Sequence, residues 1–228
     1  AFAGLWSLNG EQDRPPARIG VPLLDLGSGL WAALGCVAAL HRRQATGAGG
    51  TVDTSLLETA LAWLPVTLAH FQASGEPPPR HRSGSAALVV FQSFATADAE
   101  VVVAAANDRL FARLCSALGH SEWAQDPRHA SNALRVQHKD ALLGAMKAVF
   151  RGECSAHWLA RLQAAGIPCA PVNDLAAMAQ SAQVQALDLL QPLPGAELQV
   201  VGLPLAFDGV RPPVRAKAPA LGEHNPLY

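Results

Sequence analysis

The sequence predicts an α/β fold, and three observations predict it. An apolar stretch at helical spacing, residues 29–43, lies early in the chain. Two strand-like runs, residues 88–95 and 100–106, flank a turn around Asp98 and read as a hairpin. Further helical stretches surround that hairpin, near residues 108–118, 135–150 and 155–165.

Taken in order, residues 1–22 are loop-rich, with Gly10 and the pair Pro15-Pro16. In the first helix Leu30, Ala33, Leu34, Val37 and Leu40 recur at helical spacing, and His41-Arg42-Arg43 suits a helix C-terminus. A helix apolar nearly all round is expected to be buried on most sides. Gly47-Ala48-Gly49-Gly50 breaks the chain. Ser55-Leu56-Leu57-Glu58 fits a capping box opening a helix to about Gln72, kinked at Pro65. Residues 73–87, with Pro77-Pro78-Pro79, read as a stiff linker. Asn107 is placed to cap the next helix, with Gly119 as its stop. Gly166-Ile167-Pro168 ends the helix of residues 155–165, residues 169–172 form a short strand, and Asn173 caps another helix. From Gln191 onward, prolines and glycines alternate with short apolar runs, as in strands and an extended tail.

Composition narrows the functions open to the chain. Of 228 residues, half are hydrophobic and 15% are charged, which is a globular balance rather than a disordered one. A net charge of -1 provides no basic field for nucleic acid or an anionic membrane surface. The longest apolar run, residues 29–40, falls short of the roughly 18 residues of a membrane span. Cys36, Cys115, Cys154 and Cys169 form no C-x-x-C pair and read as buried thiols in a reducing cytoplasm. The histidines His70, His81, His120, His129, His138, His157 and His224 show no tight metal spacing, and His41 belongs to the basic helix end. The chain opens Ala1-Phe2-Ala3-Gly4 without a methionine, as if inside a longer protein.

The segment Arg18-Ile19-Gly20-Val21-Pro22-Leu23-Leu24-Asp25-Leu26-Gly27-Ser28-Gly29-Leu30 resembles the one that carries the catalytic aspartate of family III coenzyme A transferases. That group includes formyl-CoA transferase, carnitine CoA-transferase and the related α-methylacyl-CoA racemases. The resemblance continues through His41-Arg42-Arg43-Gln44-Ala45-Thr46-Gly47, Val52-Asp53-Thr54-Ser55-Leu56-Leu57-Glu58 and Phe91-Gln92-Ser93-Phe94-Ala95-Thr96-Ala97-Asp98. Ala106-Asn107-Asp108, Asp126-Pro127-Arg128, Gly166-Ile167-Pro168-Cys169-Ala170-Pro171-Val172 and Leu221-Gly222-Glu223-His224 follow in the family's order. Each piece is weak alone, and the order and spacing carry the resemblance. It implies a partial chain, lacking the N-terminal part that holds the first strands of a Rossmann-like domain and most of the grip on coenzyme A. Residues 1–72 would be the later part of that large domain, 73–87 a linker, 88–185 a small α+β domain, and 186–228 a return to the large domain. It also implies an interlocked homodimer in the cytoplasm, with acyl-CoA and a small carboxylic acid as substrates. No metal, permanent cofactor, nucleic acid or membrane is implied.

The implied chemistry is covalent. A carboxylate attacks the thioester of an acyl-CoA, and the intermediate passes CoA to a carboxylic acid acceptor. Asp25 is the candidate catalytic residue, placed just before Gly27-Ser28-Gly29, where the helix is expected to begin. Backbone N–H groups at that helix N-terminus would serve developing oxyanions. Gly27 and Gly29 would let the backbone approach the substrate, and Gly84 and Ser85 match a loop that closes over the site in relatives. Taken locally, Asp25 reads as an ordinary helix N-terminal aspartate, and Arg82-Ser83-Gly84-Ser85 as an ordinary linker turn. The racemase branch has an acidic residue at the position of Asn107, and an amide cannot move a proton in that role. Asn107 therefore favours transfer over the alternative of an acyl-CoA racemase or epimerase. A non-catalytic truncated remnant that dimerises is the third possibility. Asp98-Ala99 departs from the Asp-Gly turn of relatives, and no role follows from Glu223-His224.

Overall fold

The computed structural model describes residues 1–223 and 225, so His224 of the tail motif lies outside the described residues. The chain divides into two compact units, Ala1–Pro171 and Val172–Tyr228. The division falls inside the segment expected to be the small domain.

The first unit begins with a loop and helix α1, Leu23–Thr46. Helix α1 starts six residues before the expected Gly29, because the chain turns into it after Pro22 and Leu26 N–H already donates to Pro22 O at 3.1 Å. Asp25 therefore lies in the first turn rather than ahead of the helix. Helices α2, Leu56–Ala62, and α3, Pro65–Ser74, follow. Where one kinked helix is expected there are two, because Pro65 takes the N1 position and starts a new helix. The N-cap half of the capping box forms, Ser55 Oγ accepting from Glu58 N–H at 3.1 Å, while Glu58 Oε2 accepts from the Ser55 hydroxyl at 2.7 Å in place of the Ser55 backbone N–H.

Helix α1 is not buried on most sides. Gly27 is its only buried residue, while Leu26, Leu30 and Val37 are 68%, 62% and 64% exposed. Thr59 of α2 meets it at Gly27 and Val52 meets it at Gly35, while much of its apolar surface stays uncovered among the described residues. At 24 residues with a mean hydropathy of 1.7 over its most apolar window, it has the length and composition of a membrane span, unlike the shorter run read from sequence.

The core lies further on. Strands β1, Phe91–Ala95, and β2, Glu100–Ala104, form the expected antiparallel hairpin, with Ser93 opposite Val102. Asn107 caps helix α4, Asp108–Ala117, its Oδ1 accepting from Leu110 N–H at 2.9 Å. Helices α5, Glu122–Gln125, α6, Asn132–Gln137, α7, Lys139–Phe150, and α8, Ser155–Ala164, precede strand β3, Cys169–Pro171. Strand β3 pairs antiparallel with β2, giving the sheet order β1-β2-β3. Val101, Val103 and Phe94 from the hairpin pack with Phe111, Leu114, Met146, Phe150, Trp158 and Leu162 from the helices. Phe94 and Phe150 stack at 4.4 Å, and Trp158 Nε1–H donates to Phe150 O at 2.8 Å. The altered Asp98-Ala99 turn has work: Asp98 Oδ1 accepts from Ser155 N–H at 2.7 Å, tying the hairpin to the start of α8.

The second unit holds helices α9, Leu175–Gln180, and α10, Ala182–Ala186, and a hairpin of β4, Leu190–Pro192, and β5, Gln199–Val201. Asp174 rather than Asn173 caps α9, its Oδ1 accepting from Ala177 N–H at 2.8 Å. Only one of the four thiols is buried, Cys115. Burial pushes that thiol up to about 12, whereas Cys36 and Cys154 are exposed because α1 and the start of α8 leave them so.

Candidate active site

Asp25 projects from the first turn of α1, where the leading N–H groups have no partner within the helix and the dipole favours negative charge. Its side chain is exposed and has no hydrogen-bond partner among the described residues, while its backbone carbonyl accepts from Ser28 Oγ at 3.1 Å. The carboxylate borders a cleft of about 180 Å³, whose walls include Leu5, Trp6, Arg18, Val21 and Leu56. The arrangement is an unengaged carboxylate at a helix N-terminus, in a cleft that Arg18 and an apolar wall also line. Such a group is free to act as a nucleophile, and the guanidinium and N–H groups favour anionic species near it.

Gly27 is covered rather than open. A Cβ there would meet Thr59 Cγ2 at 2.9 Å and the Trp63 ring at 3.6 Å, so the missing side chain lets α1 and α2 meet. Gly29 has open space around it. Gly84 and Ser85 do not line the Asp25 cleft. Gly84 borders a separate cavity with His81 and Gln92, and Ser85 Oγ accepts from the N–H groups of Ala87 and Leu88, both at 3.2 Å, closing a local turn. Asn107 and Asp108 are both structural: the first caps α4, and the second accepts from Arg135 Nη2 at 2.7 Å.

Arg18 and Trp6 were not singled out by sequence reasoning. Arg18 stands seven residues before Asp25 in the segment that carries the resemblance, and that spacing was the available signal. Trp6 gave none, because a short 3-10 turn at Leu5–Leu8 brings it to the cleft. Among the described residues, no three His, Cys, Asp or Glu side chains cluster as a metal site would need.

With this geometry in place, comparison with known proteins defines the class. Residues 1–225 match CoA-transferase family III, and the chain belongs to that family. It is 33% identical over 227 residues to an acetyl-CoA:oxalate CoA-transferase of Acetobacter aceti, covering 99% of this chain and 58% of that protein. It is 31% identical over 230 residues to an acyl-CoA transferase of Fusarium pseudograminearum, covering 99% of this chain and 50% of that protein. A CAIB/BAIF family protein from Brucella suis superposes with a TM-score of 0.83 at 28% identity, covering 99% of this chain and 59% of that one. The mixed helix-and-sheet fold is thus the family's, and the chain spans about half the length of the curated relatives it matches.

Proposed function

We propose that this chain supplies the nucleophile of an acyl-CoA:carboxylate CoA-transferase, and that the nucleophile is Asp25. One carboxylate oxygen attacks the thioester carbonyl of the donor, the C–S bond breaks, and CoA leaves as a thiolate. The thiolate then attacks the Asp25 carbonyl of the resulting anhydride, releasing the donor acid and leaving an aspartyl-CoA thioester. The acceptor carboxylate attacks that thioester, CoA leaves again, and its thiolate takes the acceptor's acyl group. Asp25 is regenerated, and one thioester has replaced another.

The observation that carries this reading is the unengaged Asp25 carboxylate in the first turn of α1, within a chain whose family is CoA-transferase family III. The relatives' names support acyl-CoA and carboxylic acid as substrates. Racemization is not favoured, because Asn107 is an amide engaged as a helix cap. Gly29 would lie beside the bound thioester, with Gly27 setting the helix contact beneath it, and Gly84 and Ser85 would belong to a loop that closes over the site.

The same reading assigns residues 1–72 to a large Rossmann-like domain, 73–87 to a linker, 88–185 to a small domain and 186–228 to a return segment. It makes the working form an interlocked homodimer in the cytoplasm, without a resident cofactor. The exposed thiols of Cys36 and Cys154 fit a reducing compartment.

The test is Asp25→Asn. With acyl-CoA and hydroxylamine, mass spectrometry is expected to find a hydroxamate on Asp25 of the wild-type protein. The variant is expected to form none and to transfer no CoA, with an unchanged circular dichroism spectrum. Turnover by the variant at the wild-type rate overturns the assignment.

A further inference from the structure

Away from Asp25, the segment from Arg80 to Gly84 faces Gln92 of β1 and Lys147 of α7 across a cavity of about 330 Å³. An adjoining cavity of about 260 Å³ shares Lys147 and Arg82 with it and adds Arg151, one turn along from Lys147. Most of the polar groups here have partners. Arg80 donates through Nε to Glu11 O at 3.0 Å and through Nη2 to Gln12 O and Arg14 O at 2.8 and 2.7 Å. Arg82 forms a two-pronged pair with Glu100, whose Oε1 also accepts from Ser93 Oγ at 2.8 Å.

Two buried groups are left over. His81 Nε2 and Gln92 Nε2 are shielded from solvent and have no hydrogen-bond partner among the described residues. Leaving a buried polar group unpaired is costly, so an unpaired pair beside one cavity calls for an explanation. Burial first, and then the charge of Lys139, hold His81 below its ordinary pKa, so it is neutral near pH 7 and can present Nε2 as a donor. The Gln92 amide nitrogen is a donor in any case. The lining charges are four cations, Arg80, Arg82, Lys147 and Arg151, against two carboxylates, Glu11 and Glu100. Both carboxylates lie near Arg82, and neither Lys147 nor Arg151 has an ion pair among the described residues. A cation at the C-terminal end of α7 has an ordinary role in opposing the helix dipole. That role accounts for Lys147 and Arg151, and leaves His81 Nε2 and Gln92 Nε2 unexplained.

We propose that this cavity binds a small, multiply charged oxyanion, held by the His81 and Gln92 nitrogens and by the Lys147 ammonium. Gly84 is part of the cradle: a Cβ there would stand 3.4 Å from Gln92 Oε1 and 3.9 Å from His81 Cβ, taking up room between them. The chemistry fits a phosphoryl group or a dicarboxylate alike, since both offer several anionic oxygens to N–H donors. The proposal goes beyond the Asp25 reading and stands whether or not Asp25 reacts with a thioester.

The test is a titration of the chain with sodium phosphate and, separately, with sodium succinate, at an ionic strength held constant by sodium chloride. Amide NMR shifts, including the Gln92 side-chain NH₂, report the site. Saturable shifts at residues 81–84, 92 and 147 are expected with at least one anion. Saturation by phosphate alone identifies a phosphoryl ligand, by succinate alone a carboxylate ligand, and by both a general oxyanion site. Lys147→Glu and Gln92→Leu are each expected to weaken binding about tenfold or more, as the loss of a charge-assisted or buried hydrogen bond requires, while Lys147→Arg retains it. Lys147 is exposed, so its variants test the site without disturbing the core. No saturation beyond the chloride control with either anion, or wild-type affinity in Lys147→Glu and Gln92→Leu, overturns the proposal.

Discussion

Arg135→Met removes a cation that the fold has buried completely and wired to three separate segments. The guanidinium donates to Val89 O at 3.0 Å, His129 O at 2.9 Å, Ala106 O at 3.1 Å and Asp108 Oδ1 at 2.7 Å, and stands 4.5 Å from the Phe111 ring centroid. Methionine fills most of the stem volume and opens little cavity, but satisfies none of these acceptors. Asp108 is 66% exposed on its side chain and can rehydrate, so its share is small. The three carbonyls cannot all do so, and each orphaned buried group costs about 1–3 kcal/mol. The variant no longer bears the desolvation of a buried cation on folding, which offsets part of that cost and leaves a net loss of about 3 kcal/mol. Urea unfolding followed by tryptophan fluorescence reads it directly, because Trp123 and Trp158 both pack in this core. Arg135→Lys, which keeps the charge and some donors, is expected to fall between wild type and Arg135→Met. A loss below about 1 kcal/mol in Arg135→Met would show that the carbonyls find other partners, and would refute the reasoning.

Two further predictions test other parts of the structure. Gly27→Ala should destabilise by about 1–2 kcal/mol, although alanine is ordinarily the better helix residue, because its Cβ meets Thr59 Cγ2 at 2.9 Å. Thr59 Oγ1 is tied to Ser55 O at 2.9 Å, so it cannot simply rotate away; Thr59→Ser deletes the clashing methyl, and the double variant should recover the loss in thermal melts. The hydrogen bond from Arg82, the largest cause, holds the Glu100 carboxyl below its ordinary range. Its stabilisation is present above the unfolded value of about 4.3 and is lost as pH falls through the lowered folded value. Urea midpoints should therefore decline less on acidification in Glu100→Gln than in wild type, and parallel declines would remove Glu100 from the account.

Local chemistry was legible in the sequence, and tertiary partners were not. Ser55 and Asn107 were readable as caps because a cap needs only a short polar side chain and an N–H three residues on. The cap of α9 was misplaced by one residue because Asn173 and Asp174 are both good cap types, and only backbone geometry chooses between them. The start of α1 was misread because Gly27 and Gly29 look like a break, whereas Gly27 is there for the passage of α1 beneath Thr59. Its apolar pattern was taken to mean burial, but the pattern states a preference and not the presence of a neighbour. Arg135 could not have been found: its acceptors come from residues 46, 29 and 6 positions away. Asp25 was legible only through family resemblance, since a local reading makes it an ordinary helix aspartate.

The exposed stripe Leu26, Leu30, Leu34, Val37 and Leu40 along α1 is expected to make protein concentration a variable of state for this chain. Every square ångström of it carries about 25 cal/mol that is released only when another surface excludes water from it. Contiguous exposed patches of this kind drive association. Sedimentation behaviour, dye uptake and the effect of mild detergent should accordingly all vary with dilution, and do so together, because one solvent-facing stripe governs them.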